Sequence, residues 1–172
     1  MNRPGSAPAE VIATLVERGL TVATAESLTG GLVCSVLTSV PGSSATVRGG
    51  VVSYASDVKA DLLGVDPDLL AEVGAVDAGV AAQMAEGVCR LLGADVGLAT
   101  TGVAGPGPSD GMPAGTVFVT ACGPWPSGPR TRALALEGGR DEVRAATVDA
   151  VLDLLGELLR EDAHAAPVEG GE

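Results

Sequence analysis

Leu20-Thr-Val-Ala-Thr-Ala-Glu-Ser-Leu-Thr-Gly-Gly-Leu-Val-Cys-Ser-Val-Leu37 decides the architecture of the chain. Leu20 to Ala25 is a short, mostly apolar run that reads as a strand. It passes through Glu26-Ser-Leu-Thr-Gly-Gly31 into a segment, Leu32 to Leu37, with helical character. A strand, a glycine-containing turn and a helix start place polar groups and free backbone amides together at a sheet edge. N-terminal to this unit, apolar residues at Val11, Ile12, Leu15 and Val16 predict a helix over 9–18, stopped by Gly19.

The same alternation continues C-terminally. Pro41-Gly42-Ser43-Ser44 breaks the helix, and Gly50 to Tyr54 reads as the second strand. Ser56 is placed to cap a short helix through Lys59 to Leu63, and Asp66-Pro67 and Asp77 are N-cap signals for two more, the second running to about Leu92. Val96 to Thr100 is the next strand and opens into a Gly/Pro-rich loop ending at Gly111. Ala114 to Ala121 and Thr131 to Leu136 read as strands paired across the turn Pro124 to Pro129, and Arg140 to Leu159 as a long amphipathic helix. Interleaved strands and helices predict an α/β fold, a single three-layer α/β/α domain whose late hairpin makes the sheet mixed. The domain is expected over residues 1–160, with an acidic, disordered tail over 161–172.

Composition excludes several functions. Hydrophobic residues make up 46% of the 172 and aromatics only 2%, so the core must be built from Ala, Val and Leu. A formal charge of -12 argues against a nucleic-acid surface, which requires a basic patch. Cys34, Cys89 and Cys122 are odd in number and widely spaced, as small buried residues are, rather than a disulfide framework or zinc site. No apolar run reaches the ~18 residues of a membrane span, so the expectation is a soluble, cytoplasmic protein with no membrane partner. The single histidine, His164, lies in the acidic tail, which leaves Ser-His-Asp and Cys-His catalysis without a base and predicts neither metal nor cofactor.

Lys59 is the one lysine among ten basic residues, the other nine being arginine. Arginine is the better permanent charge; what lysine alone offers is an amine able to lose its proton when burial or a neighbouring cation depresses its pKa. On its own, that leaves a catalytic lysine and an ordinary surface lysine both open. Three polar loops follow strands, at Glu26 to Gly31, Tyr54 to Lys59 and Thr101 to Gly111, and such loops converge beyond the strand ends in open α/β sheets. The glycines of Thr29-Gly30-Gly31 and around Gly105 would admit a ligand close to backbone N–H groups, although neither loop has the Gly-Lys-Ser/Thr of a Walker motif.

Thr24-Ala-Glu-Ser-Leu-Thr-Gly-Gly31, Val40-Pro-Gly-Ser-Ser44, Val52-Ser-Tyr-Ala-Ser-Asp-Val-Lys59, Gly74-Ala-Val, Thr101-Gly-Val-Ala-Gly-Pro106, Pro113-Ala-Gly-Thr-Val117 and Gly139-Arg-Asp-Glu-Val-Arg144 occur in that order. Together they resemble the C-terminal domain family of the competence/damage-inducible protein CinA, in its stand-alone, nicotinamide-nucleotide amidase form. The resemblance spans roughly Ala9 to Leu159. It departs from the family at Leu28, where many members have cysteine, and at Gly105-Pro-Gly-Pro-Ser-Asp-Gly111, where Gly-Pro-Asp-Gly-Gly is more usual.

The resemblance implies a metal-free serine-lysine amidase that hydrolyses nicotinamide mononucleotide to nicotinate mononucleotide and ammonia, working as a homo-oligomer, a dimer by family expectation. It places the nucleophile on Ser44, the base on Lys59 and a supporting role on Tyr54. Substrate binding falls to Ser27, Thr29, Gly30, Gly31, Thr101, Gly102, Gly105 and Arg140. Read without the family, Ser27 is a helix cap, Tyr54 a strand residue and Arg140 a partner for Glu137 or Asp141. A cation at a helix start opposes the helix dipole, however, and is better explained by a facing anion such as a phosphate. Two other functions compete: a catalytically silent nucleotide-binding or interaction module linked to competence or recombination, and a lysine-dependent Schiff-base enzyme.

Overall fold

The computed structural model describes residues 8–165. Its elements are α1 (Pro8–Glu17), β1 (Val22–Glu26), α2 (Leu32–Thr38), a 3-10 turn (Ser43–Ala45), β2 (Val47–Val52), α3 (Ser56–Leu63) and α4 (Pro67–Val73). They continue with α5 (Ala78–Leu92), β3 (Val96–Gly102), β4 (Thr116–Cys122), β5 (Arg130–Ala135) and α6 (Arg140–Ala165). The sheet order is β2-β1-β3-β4-β5. Strands β2, β1 and β3 are parallel, whereas β4 and β5 are antiparallel to their neighbours.

Helices cover both faces, giving the expected three-layer α/β/α domain with a mixed sheet. Val22 of β1 and Val96 and Leu98 of β3 face one core with residues of α1, α2 and α6. Ala23, Ala25 and Ala99 face the other, with α5 and Leu63 of α3. That second face is lined by small residues because α5 lies very close to it. A Cβ on Gly97 would collide with the Ala85 carbonyl of α5, and one on Gly87 with the Leu63 carbonyl. Parallel strands buried on both faces need no polar alternation, and β1 is buried at all five positions.

The helix starts follow the sequence signals. Asp66 caps α4 through its carboxylate to Asp68 N (2.9 Å), and Asp77 caps α5 through Gly79 N (2.7 Å) and Val80 N (3.3 Å). Ser56 is the first residue of α3 rather than its cap, which is Ala55.

Most boundaries fall within two residues of expectation, and the start of β2 and the end of α6 differ by more. β2 starts at Val47, not Gly50, because pairing with β1 carries it through Gly49 and Gly50; a Cβ at Gly50 would run into Thr24 and Cys34. Helix α6 does not end at Leu159 but continues to Ala165. Its acidic last turns are held by arginines distant in sequence: Arg132 to Glu157 (2.6 Å), Arg130 to Glu161 (2.8 Å) and Arg18 to Asp162 (3.4 Å). Arg18 also donates to the Leu159 carbonyl (2.6 Å), which gives the helix end a cation where its dipole favours one. His164 is therefore a helical residue, its Nδ1 2.7 Å from the Arg160 carbonyl, and residues 166–172 of the expected tail lie outside the described residues. Among the described residues, no helix is long and apolar enough to cross a membrane.

Candidate active site

The chain leaves β1 toward β2 on one side and crosses to β3 on the other, so the C-terminal ends of β2, β1 and β3 frame a crevice. Ser27, directly after β1, donates its N–H to the Thr100 carbonyl (3.0 Å), while Ser53, directly after β2, donates to the Glu26 carbonyl (2.9 Å). These two bonds extend the ladder by one residue each. They bring the Ser27 hydroxyl, the Ser53-Tyr54 carbonyls and Thr101 into register at one edge.

Lys59 fills the space between them. It lies on α3, and a helical side chain leans toward its helix N-terminus, so the amine reaches back over the end of β2. Lys59 is fully buried. Its Nζ lies 3.1 Å from Ser27 Oγ, 2.7 Å from the Ser53 carbonyl oxygen and 3.2 Å from the Tyr54 carbonyl oxygen. Burial lowers its pKa to about 8, with the Asp110 carboxylate opposing the shift. A neutral amine has two N–H donors and one lone pair. The two carbonyls can only accept, so they take the two N–H groups and leave the lone pair for the Ser27 O–H.

Ser27 is held by a network that the sequence alone does not announce. The buried Glu26 carboxylate accepts from Val33 N (2.8 Å) and Cys34 N (3.1 Å) at the start of α2, and from the hydroxyls of Thr29 (2.7 Å) and Thr24 (3.2 Å). A carboxylate there satisfies helix-start amides and the positive end of the helix. From the other side, Arg144 of α6 donates to the carbonyls of Leu28 (2.9 Å) and Thr29 (3.3 Å). Ser27 is thus fixed between a helix start and a guanidinium.

A cavity of about 340 Å³ opens in front of the pair, lined by Ser27, Tyr54, Lys59, Thr101, Gly102, Gly105 and Arg140 among others. Its mouth is bridged by Arg140, which donates to the Gly105 carbonyl (2.9 Å) and to the Tyr54 hydroxyl (3.2 Å). Arg140 makes no ion pair with Glu137 or Asp141 among the described residues. Its charge is left facing the cavity. Thr101 lines the wall but donates its hydroxyl to the Ala75 carbonyl (2.6 Å), tying β3 to the loop before α5.

Four of the expected site residues do not line the cavity. Ser44 is exposed in the 3-10 turn before β2, at the opposite edge of the sheet from Lys59. The six residues of β2 separate those edges by about 20 Å. Ser27, not Ser44, is the serine at the lysine. Thr29 is fully buried, its hydroxyl shared between Glu26 and Thr100 (2.8 Å). Gly30 and Gly31 adopt positive φ to turn the chain into α2 and do not line the cavity; Gly30 lies against Arg144 and Gly31 against Val52. Strand direction is the signal that separates the two serines, since Ser27 follows β1 whereas Ser44 precedes β2. Glu26, Arg144 and Asp110 carry no sequence signal of their own, because each acts through residues far away in sequence or through the folded turn. Among the described residues, no group of His, Cys, Asp and Glu is arranged to hold a metal ion.

Known proteins share this sequence pattern and fold. The family model for the CinA C-terminal domain matches residues 5–159. A CinA-like protein of Frankia casuarinae is 52% identical over 149 residues, covering 87% of this chain and 34% of that protein. A putative competence-damage inducible protein of Desulforamulus reducens is 45% identical over 146 residues, covering 85% and 35%. The chain thus spans about a third of the length of these curated relatives. Among solved structures, a competence-damaged protein (CinA) superfamily protein of Klebsiella pneumoniae superposes with a TM-score of 0.85 at 32% identity, covering 91% of this chain and 97% of its own. The competence/damage inducible protein of Agrobacterium tumefaciens gives 0.80 at 37% identity, covering 92% and 99%. With sequence, fold and matched length in agreement, the chain belongs to the CinA C-terminal domain family.

Proposed function

We propose that the chain is a Ser-Lys amidohydrolase that converts nicotinamide mononucleotide to nicotinate mononucleotide and ammonia, with Ser27 as nucleophile and Lys59 as general base. The observation that carries this reading is a fully buried lysine amine 3.1 Å from a serine hydroxyl, its two other partners being carbonyls, at the floor of a nucleotide-sized cavity. A pKa of about 8 keeps a useful fraction of that amine neutral near pH 7.5. Lys59 takes the Ser27 proton as Oγ attacks the carboxamide carbon. The same ammonium returns a proton to nitrogen as the C–N bond breaks, and ammonia leaves. Water, deprotonated by Lys59, then attacks the ester, and Lys59 returns that proton to Ser27 Oγ as the acyl C–O bond breaks. The oxyanion would be met by main-chain N–H groups of the loop after Thr101, and the phosphate by Arg140 at the cavity mouth.

The test is ammonia release from nicotinamide mononucleotide by purified protein in excess chelator, compared among wild type, Ser27→Ala and Ser44→Ala. Ser27→Ala is expected to lose activity to the floor and Ser44→Ala to retain it. Activity that disappears with chelator, or loss in Ser44→Ala instead of Ser27→Ala, contradicts the mechanism. No ammonia from wild type favours the silent nucleotide-binding module.

A further inference from the structure

Among the described residues, the cavity is lined by two cations, Lys59 and Arg140, and a single carboxylate, Asp110. Asp110 sits in the Gly/Pro-rich loop 105–111. It is the one described non-glycine residue with positive φ, at 50°. That backbone conformation is disfavoured for most side chains, and Asp and Asn are among the few that tolerate it. It is held there from outside the loop. Asp110 Oδ2 accepts from Ala75 N at 3.1 Å, and the aspartate packs against Gly74, where a Cβ would come within 3.3 Å of the Asp110 Cβ.

One carboxylate oxygen therefore anchors the cavity wall while the charge of the group stays on the cavity. Its field reaches the catalytic amine, whose protonated form it favours. For a base that must lose its proton, that charge is a disadvantage, and an uncharged amide side chain would anchor the wall equally well. The charge is explained if a bound substrate uses it. With Lys59 neutral, the cavity presents a cation at Arg140 and an anion at Asp110, which is the complement of a zwitterion.

We propose that Asp110 is a specificity-determining residue of this site, its carboxylate favouring amides whose acyl ring carries a positive charge. The assignment rests on the amidase reading above. It predicts discrimination between nicotinamide mononucleotide, whose ring is cationic, and the same mononucleotide reduced to its uncharged dihydropyridine, which keeps the ribose, the phosphate and the carboxamide.

The variant that isolates charge is Asp110→Asn, which retains an acceptor for Ala75 N and tolerates the same φ; Asp110→Ala removes both charge and anchor. Because the two rings differ in intrinsic reactivity, the readout is the ratio of kcat/KM for cationic over neutral amide, compared between proteins. Asp110→Asn should lower that ratio about five-fold, the scale expected for a partly screened charge pair at an exposed residue. The cationic amide loses attraction, whereas a less protonated Lys59 raises both rates alike and cancels in the ratio. A ratio that falls only in Asp110→Ala, or in neither variant while ammonia is still released, overturns the role of the charge and leaves the amidase standing. No ammonia from either amide with wild-type protein overturns the amidase reading and this assignment with it.

Discussion

Replacing Lys59 by arginine keeps the positive charge and removes the accessible neutral form, so it separates a general base from a fixed cation. With a pKa of about 8, roughly a quarter of the Lys59 amine is neutral at pH 7.5, against about one part in a thousand for an unperturbed lysine. Burial, net of the opposing Asp110 charge, therefore raises the reactive population by about two hundred-fold. Arginine forfeits that population entirely, and kcat/KM at pH 7.5 should fall by about 10²–10⁴. Wild-type kcat/KM should rise with unit slope in pH and level off near pH 8, whereas any residual activity of Lys59→Arg should lack that limb. Since a guanidinium must fit where Lys59 is fully buried, Lys59→Met serves as a second, uncharged variant, and urea melts establish that both are folded.

Stability gives a check that does not involve turnover. The folded pKa lies below the ordinary value of 10.5, so between about pH 8 and 10.5 the unfolded chain binds more protons than the folded one. Unfolding free energy should accordingly rise with pH across that window by about 3 kcal/mol relative to Lys59→Met, and show no such difference in slope below it. Near wild-type kcat/KM in Lys59→Arg, or a wild-type rate flat from pH 6 to 9, would refute the role of the amine.

Glu26→Ala removes the acceptor for two helix-start amides and two hydroxyls in a buried setting and should cost about 3 kcal/mol, read as a lower urea midpoint at unchanged slope; a midpoint within error of wild type would show that the network is not held by the carboxylate. Arg140→Gln should raise KM for nicotinamide mononucleotide more than it lowers kcat, and should narrow the preference for the mononucleotide over nicotinamide riboside, since only the former carries the phosphate. An unchanged preference would remove Arg140 from phosphate binding.

Much of the scaffold is legible from local chemistry. Asp66 and Asp77 cap the helices their positions announce, and the strand–Gly-Gly–helix stretch opens the sheet as expected. Lys59 stands out by being the only lysine. What escapes is long-range. Gly49 and Gly50 hide the start of β2 because glycine carries no strand preference, and only the neighbouring strand and Cys34 explain why nothing larger fits. The acidic end of α6 reads as tail until Arg18, Arg130 and Arg132 are brought against it by folding. Ser44 has the more nucleophile-like setting in sequence, a Gly-Ser-Ser turn, yet lies before its strand. Ser27 looks like a cap, but it follows its strand and faces the amine. Side-chain chemistry identifies the lysine; strand direction selects its serine.

The position of α6 has a consequence for how the protein is made. Ser27, Tyr54 and Lys59 all precede β3 in the chain, but the guanidinium that braces the Ser27 turn and the one that bridges the cavity mouth belong to α6. That helix also supplies the apolar side chains, Val143 to Leu159, that cover one face of the sheet. A chain ending before Gly139 thus carries Ser27 and Lys59 without Arg140, Arg144 or the apolar side chains that α6 adds to that core. The site is complete only once α6 has docked on the sheet.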